Sequence, residues 1–384
     1  MTTLLSDNIL SALGFTTDEN YRNVKQGISG LVHFADCLGV PEPFVASVID
    51  DEALNKTFGD LPFAEDRKYT KLEKAAIVSV GEALKGTGIH PADERVLFIL
   101  STTKGNIFLL DDAGNDGYAP EQRYLWHTAG CIAGYFGNRN TPWVISNACI
   151  SGATALIAAQ RALASKRYDY VIVTGADMLS QFIISGFQSF KALSPEICKP
   201  FDARRTGLNI GEAVATLIVT DKTDAELQAG EVVLSAGAIR NDANHISGPS
   251  RTGEGAYLAL RQILSGMDTD ELAFVNAHGT ATPYNDEMES IALTRAALQE
   301  TPVNSLKGYF GHTLGCAGVL ESIISTHALK DGTILKTFGF ETPGVTHPLR
   351  IAAESQATTR HRCINMLSGF GGCNAALLYT LIKK

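Results

Sequence analysis

TPWVISNACISGATALIAAQRALA, residues 141–164, reads as a short apolar strand, a tight turn and a buried helix. Cys149 stands where the chain leaves the strand and the helix begins. The unpaired N–H groups of a first helical turn, together with the helix dipole, favour a nearby anion. A thiol there is expected to have a lowered pKa and a larger thiolate fraction. Ser151 and Gly152 keep the turn compact and let backbone and substrate approach closely. The helix is apolar nearly all round, which makes it a central one. A lone free cysteine is more often a small buried hydrophobe, and Cys37, Cys131, Cys198 and Cys363 are read that way. Cys149 departs from that reading only in company with the histidine segments below.

Outward from this stretch, short apolar runs alternate with alanine-rich helical ones. Strand-like runs are Arg95–Leu100, Trp143–Ser146, Tyr170–Thr174, Ala215–Val219 and Phe274–Asn276; helical stretches include Lys71–Leu84, Ser151–Ser165 and Asp286–Leu298. The rhythm predicts an α/β protein with largely parallel, doubly covered sheets. A faint repeat is present: CISGATALIAAQRALAS from Cys149 lies over GCAGVLESIISTHALKD from Gly315, matching Gly152 to Gly318 and Ala162-Leu163 to Ala328-Leu329. Two similar halves, 1–225 and 226–384, are expected to fuse into one globule.

His278 follows a strand-like run in FVNAHGTATPYNDE and is flanked by Thr280 and Thr282, hydroxyls suited to a polar substrate arm. His312 precedes a second helix start in SLKGYFGHTLGCAG. A single glycine-flanked histidine is usually structural, but two at strand-to-helix turns like that of Cys149 suggest a shared site. In MLSGFGGCN, Gly369, Gly371 and Gly372 can take positive φ and turn N–H groups toward a developing oxyanion. GFGG is too short for a nucleotide fingerprint, and no GxGxxG follows a first strand.

A net charge of −9 argues against nucleic acid as the main partner. The seven cysteines are odd in number, form no CxxC pair and match no zinc spacing, so free thiols in a reducing compartment, and no metal, are expected. The N-terminal segment lacks the pattern of a secretory signal, and no run approaches the roughly 18 apolar residues of a membrane span. A cytoplasmic protein is expected.

Together these segments resemble the β-ketoacyl synthases of the thiolase superfamily, specifically the Cys-His-His branch that elongates carrier-bound acyl chains. The resemblance spans nearly the whole chain and rests on NACISG, KPFDARRTGLNIGEA (199–213), NAHGTATPYND, KGYFGHTLGCAG and SGFGGCN in that order. It implies a thiolase-like fold of two βαβαβαββ-type halves in layers of helices and mixed sheets. It implies acyl transfer from an acyl carrier protein to Cys149, then decarboxylative condensation with malonyl-carrier protein. His278 and His312 would donate to the malonyl thioester oxygen. The N–H groups of Cys149 and Phe370 would form the oxyanion hole, with Phe370 also the gate. Lys307 and Glu321 would support the histidines, and Thr280 and Thr282 would hold the phosphopantetheine arm. No other cofactor is implied. The family forms dimers, here with a second copy or with another synthase-like chain.

Carrier docking is assigned to Arg67, Lys68, Lys71 and Lys74, with Arg204 and Arg205 as a second patch. Residues Thr102–Leu110 are candidates for setting chain length. Some features depart from the family pattern: the usual N-terminal strand reads as missing or much shortened, and Ala213, Cys316 and Cys373 replace common residues. Cys316 and Cys373 are expected near enough to the site for slow alkylation. These departures point toward a specialised polyene or polyketide system rather than housekeeping fatty acid synthesis. The rival readings are a non-catalytic chain-length-factor-like partner, disfavoured by the retained Cys149, His278 and His312, and a thiolase acting on coenzyme A esters, for which Cys373 would be the second cysteine.

Overall fold

A computed structural model describes residues 1–35, 37–62, 67–110 and 117–383. Its frame is a ten-stranded sheet. We number its strands β1 (Thr2–Ser11), β2 (Val96–Ser101), β3 (Trp143–Ile145), β4 (Tyr170–Asp177), β5 (Ala213–Asp221), β6 (Val232–Asn241), β7 (Leu272–Asn276), β8 (Val303–Asn304), β9 (Arg362–Gly369) and β10 (Cys373–Leu381). The six long helices packed on it are α1 (Lys71–Leu84), α2 (Leu125–Tyr135), α3 (Ser151–Ala164), α4 (Glu254–Ile263), α5 (Pro283–Arg295) and α6 (Ala317–Lys330).

The spatial order is β8-β7-β9-β10-β6-β1-β5-β4-β2-β3. Read from each edge inward, the two halves have the same order, and each runs βαβαβαββ along the chain. The sequence rhythm predicts largely parallel pairing, but only β2 with β3 and β4, and β7 with β8 and β9, pair in parallel. The middle of the sheet is antiparallel. Parallel neighbours need helical crossovers, and each half supplies these only before its last two strands.

Alternate side chains of the strands enter different cores, as the pleat requires. In β2, Leu97 and Ile99 join a central cluster with Leu156 and Ile157 of α3 and Ile323 and Ile324 of α6. Phe98 and Leu100 face the other way, toward Leu72 and Ile77 of α1. The second half repeats this arrangement, with Leu377 of β10 directed centrally and Leu378 toward Leu260 of α4. The result is five layers with α3 and α6 buried in the middle. Capping also follows the sequence, because Thr70 and Glu73 close a capping box that starts α1 at Lys71.

The N-terminal strand corrects the sequence reading. β1 is ten residues long and lies at the centre of the sheet between β5 and β6. Ser6, Asp7 and Asn8 break its apolar alternation, and a register shift between Leu4 and Ser6 absorbs the irregularity. Pattern reading fails there because tertiary pairing, not periodicity, defines the strand.

α3 and α6 cross at the glycines matched in the repeat. A Cβ on Gly152 would stand 2.7 Å from the Val319 nitrogen, and one on Gly318 would stand 2.3 Å from that of Ala153. Backbone meets backbone, and neither side chain could turn away. Gly318→Ala is therefore expected to destabilise by about 3 kcal/mol, the upper range for overpacking. Gly81→Ala, in α1 with open space around its Cβ position, should be neutral or stabilise by up to ~1 kcal/mol. Denaturant unfolding of both variants checks the contrast, and equal effects would dismiss the crossing as a constraint.

Candidate active site

The turn before α3 is strained and locked. Ala148 adopts φ 46°, in the left-handed region. The Ser151 hydroxyl accepts from the Asn147 N–H at 2.8 Å and donates to the Ala148 carbonyl at 2.6 Å. Cys149 is thereby lifted toward a pocket of about 490 Å³ that reaches the surface past Thr282 and the exposed Tyr284. The lowered thiol pKa expected from sequence is not found: burial pushes Cys149 up to about 11, against the opposing effects of Lys104, Lys307 and the Phe370 N–H. α3 starts at Ser151, so Cys149 precedes the helix and desolvation outweighs the dipole.

His278 and His312 come from the other half. Their rings meet edge-on, with centroids 5.0 Å apart and planes at 84°. One nitrogen of each and the Cys149 sulphur all lie within 4.8 Å of one another. Both histidines are held well below the usual imidazole range, first by burial and then by the positive charge of Lys307. They are neutral, and their tautomers follow from their partners. The Leu314 N–H donates to His312 Nδ1 at 3.3 Å, which leaves the proton on Nε2. That Nε2 is buried with no partner. Lys307 Nζ faces His278 Nδ1 at 3.5 Å, which likewise leaves Nε2 of His278 as the donor. Lys307 is itself paired with Glu321, and both are almost wholly buried.

Two carboxylates not anticipated from the sequence hold these loops. Glu289 of α5 accepts from the N–H groups of His278 and Gly279, each at 2.7 Å, and burial raises it to about 8. Asp177, at the end of β4, accepts from Thr102 Oγ1 at 2.9 Å, from the Thr103 N–H at 2.9 Å and from the Gly315 N–H at 2.7 Å. It therefore joins the turn after β2 to the entry of α6. An acidic residue closing the apolar run YVIVTGAD was its only sequence signal.

The glycine loop divides its roles. Gly371 and Gly372 take positive φ, at 84° and 73°. Gly369 is not in that set and supplies space instead, since its Cβ would stand 3.1 Å from the Cys149 nitrogen and 2.9 Å from Cys373 Sγ. This brings the Cys149 and Phe370 amides together. The Gly371 N–H is already donated to the Ile246 carbonyl at 2.7 Å. The Phe370 ring, 38% exposed, packs against Phe187 and Phe190 at 5.8 and 5.4 Å. Thr280 and Thr282 share a 2.8 Å hydroxyl contact in the pocket wall. Cys373 lies 3.3 Å from the Phe370 carbonyl, whereas Cys316 is wholly buried in the central core, so its expected slow alkylation has no route.

The proposed docking residues separate. Arg67 and Lys68 lie over Tyr69 and Tyr118, at 5.5 and 4.0 Å from the ring centres, beside Lys74. Lys71 is held between Asp51 and Glu212, each at 2.7 Å. Arg205 is half-buried, donating to the carbonyls of Asp202 and Gly344, and Arg204 is paired with Glu341 at 2.5 Å. Lys71 and Arg205 are thus engaged by partners within the fold.

Among the described residues, no helix is long and apolar enough to cross a membrane. Residues 9–225 match the family model for the β-ketoacyl synthase N-terminal domain, and residues 231–341 that for its C-terminal domain. A Schizosaccharomyces pombe protein named as a mitochondrial 3-oxoacyl-[acyl-carrier-protein] synthase is 27% identical, the match covering 96% of each chain. A Streptomyces halstedii protein named as a polyketide β-ketoacyl synthase is also 27% identical, over 82% of each. A ketosynthase from Xenorhabdus doucetiae, solved in complex with its chain length factor, superposes with a TM-score of 0.89 at 26% identity, covering 99% of this chain and 98% of that one. The chain belongs to the β-ketoacyl synthase family.

Proposed function

We propose that Cys149 is the acyl acceptor in a decarboxylative condensation on carrier-bound thioesters. In the first half, Cys149 attacks the acyl thioester of an acyl carrier protein. The new sulphur–carbon bond replaces the old one, and the thiol proton of Cys149 ends on the departing phosphopantetheine. The Cys149 and Phe370 N–H groups hold the oxyanion of the tetrahedral intermediate. In the second half, malonyl-carrier protein loses carbon dioxide, and the enolate carbon attacks the Cys149 thioester. The Nε2–H groups of His278 and His312 donate to the enolate oxygen as its charge develops. The product is β-ketoacyl-carrier protein, and Cys149 is freed.

The observation that carries this reading is the buried, unpartnered Nε2 of His312 beside the thiol. An unsatisfied buried donor costs free energy unless a ligand pairs with it, and a thioester oxygen in the pocket does so. Lys307 and Glu321 position His278, Thr280 and Thr282 receive the phosphopantetheine arm, and Phe370 moves aside after acylation. The chemistry asks for no cofactor beyond that arm. The protein works in the cytoplasm, in line with its free thiols. It acts as a dimer, with itself or with a second ketosynthase-like chain, as the Xenorhabdus relative is found with its chain length factor. Its product enters fatty acid or polyketide assembly.

Intact mass spectrometry of acyl- and malonyl-carrier proteins tests the assignment. Wild type should yield a β-ketoacyl-carrier species, and Cys149→Ala less than about one-thousandth of that rate. Elongation that survives the substitution would overturn the role of Cys149. Docking has its own check. Arg67→Glu with Lys68→Glu should raise the KM for the carrier protein about fivefold to tenfold at low salt, near 1–1.4 kcal/mol, with kcat unchanged. Added salt should narrow the difference as it screens the charges; unaltered kinetics would remove both residues from the docking surface.

A further inference from the structure

The stretch KPFDARRTGLNIGEA, 199–213, contributes no group to the proposed chemistry, yet its end lies against His312. Ile210 and His312 form a parallel bridge. The His312 N–H donates to the Asn209 carbonyl at 2.7 Å, and the His312 carbonyl accepts from the Gly211 N–H at 3.1 Å. The two segments are so close that a Cβ on Gly311 would stand 2.8 Å from the Ile210 carbonyl carbon. His312 is therefore held by this stretch on both sides of its Cα.

Asn209 fixes the stretch in turn. Its side chain is buried, with its acceptor and both donors engaged. Oδ1 accepts from the Cys198 N–H at 2.7 Å, and Nδ2 donates to the Ser194 and Glu196 carbonyls at 3.3 and 3.0 Å. The partners set the amide's orientation, since a backbone N–H needs the oxygen and two carbonyls need the nitrogen. Cys198 carries the hold further. Its thiol donates to the Lys307 carbonyl at 3.4 Å, and Lys307 Nζ is the group that faces His278. Any residue at 209 would present a carbonyl to His312; the side chain decides where that carbonyl stands. Cys149 is held separately, its turn closed by Ser151 with Asn147 and Ala148.

We propose that Asn209 is a positioning residue for the condensation half of the reaction: its amide, knotted into the 194–198 loop, sets where His312 presents Nε2 and braces Lys307 behind His278. This rests on the roles given above to Cys149 and the two histidines. In that mechanism acyl transfer to Cys149 uses the Cys149 and Phe370 N–H groups and neither imidazole. The two halves of the reaction therefore respond differently to a change at Asn209.

The test separates those halves for wild type, Asn209→Leu and Asn209→Asp. Acylation is followed by intact mass spectrometry of enzyme mixed with acyl-carrier protein alone. Condensation is followed in single turnovers, by mixing isolated acyl-enzyme with malonyl-carrier protein and measuring the β-ketoacyl product. Asn209→Leu has similar bulk but pairs with none of the three partners. It should slow condensation about tenfold to a hundredfold, the order of loss for a group misplaced by about an ångström, and leave acylation within about twofold. Asn209→Asp keeps the shape and the acceptor for the Cys198 N–H, so it should show the same split with a smaller loss. Its rates decide if the leucine variant does not fold. Equal slowing of both halves would assign Asn209 to the fold alone, and unchanged condensation would detach it from His312; either overturns the proposal. Failure of the underlying mechanism reads differently, because wild type itself would then take up no acyl group at Cys149.

Discussion

Backbone contact between α3 and α6 at Gly152 and Gly318 is the constraint on which the rest of the molecule depends. Two helices at that separation must cross at their first turns, and the segments entering them must converge on one point. Cys149 enters one helix and His312 the other. The sheet halves then pack on opposite sides of the pair, burying it between two layers of strands. Other contacts continue the same closeness. A Cβ on Gly211 would fall 1.8 Å from the Phe310 carbonyl, and one on Gly315 2.7 Å from Thr102 Cα. The groups of the proposed site are thus held by closely packed backbone, as a site requiring sub-ångström placement demands.

Burial sets the electrostatics of the same site. Desolvation keeps both histidines neutral and the thiol protonated. Neutral imidazoles suit a reaction in which charge develops on an oxygen, because they donate without having to lose a proton first. Ionisable groups that remain in the interior are given partners. Lys307 faces Glu321, Arg205 lies 3.7 Å from Asp286, and Asp177 and Glu289 collect backbone N–H groups. Breaking one such set would leave an uncompensated buried charge, which costs about 3–5 kcal/mol, so these residues serve fold and site together.

The parts of the fold legible in the sequence are those governed by local chemistry. α1 starts and ends where its capping residues and periodicity place it. The apolar runs of β2, β4 and β7 are recognisable within a few residues, and the glycine repeat foreshadows the helix crossing. Sequence segments carry Cys149, His278 and His312 as three separate candidates; only the tertiary fold brings their atoms together. What sequence reading loses is non-local. β1 escapes detection because its polar centre is tolerated by pairing with strands far along the chain. The thiol pKa comes out with the wrong sign, since the depth of Cys149 is invisible beside its position before a helix. Asp177 and Glu289 look like ordinary surface acids until the loops they hold are seen. Lys71 and Arg205, read from their charge as docking candidates, are engaged by Glu212 and Asp51 and by two backbone carbonyls, and of these partners Glu212 and Gly344 lie far away in sequence.

The central place of β1 has a consequence for how the molecule is made. Thr2 pairs with Asp221, and Thr3 with Val233. A ribosome must therefore deliver all of β2, α3 and β4 before β1 can find either neighbour. Contacts so distant along the chain close slowly, and an unpaired strand is an invitation to aggregate while it waits. The Ser6-Asp7-Asn8 interruption that hides β1 from pattern reading also makes it a poor template for another nascent chain. A segment that looks unlike a strand is in this respect better suited to waiting as one.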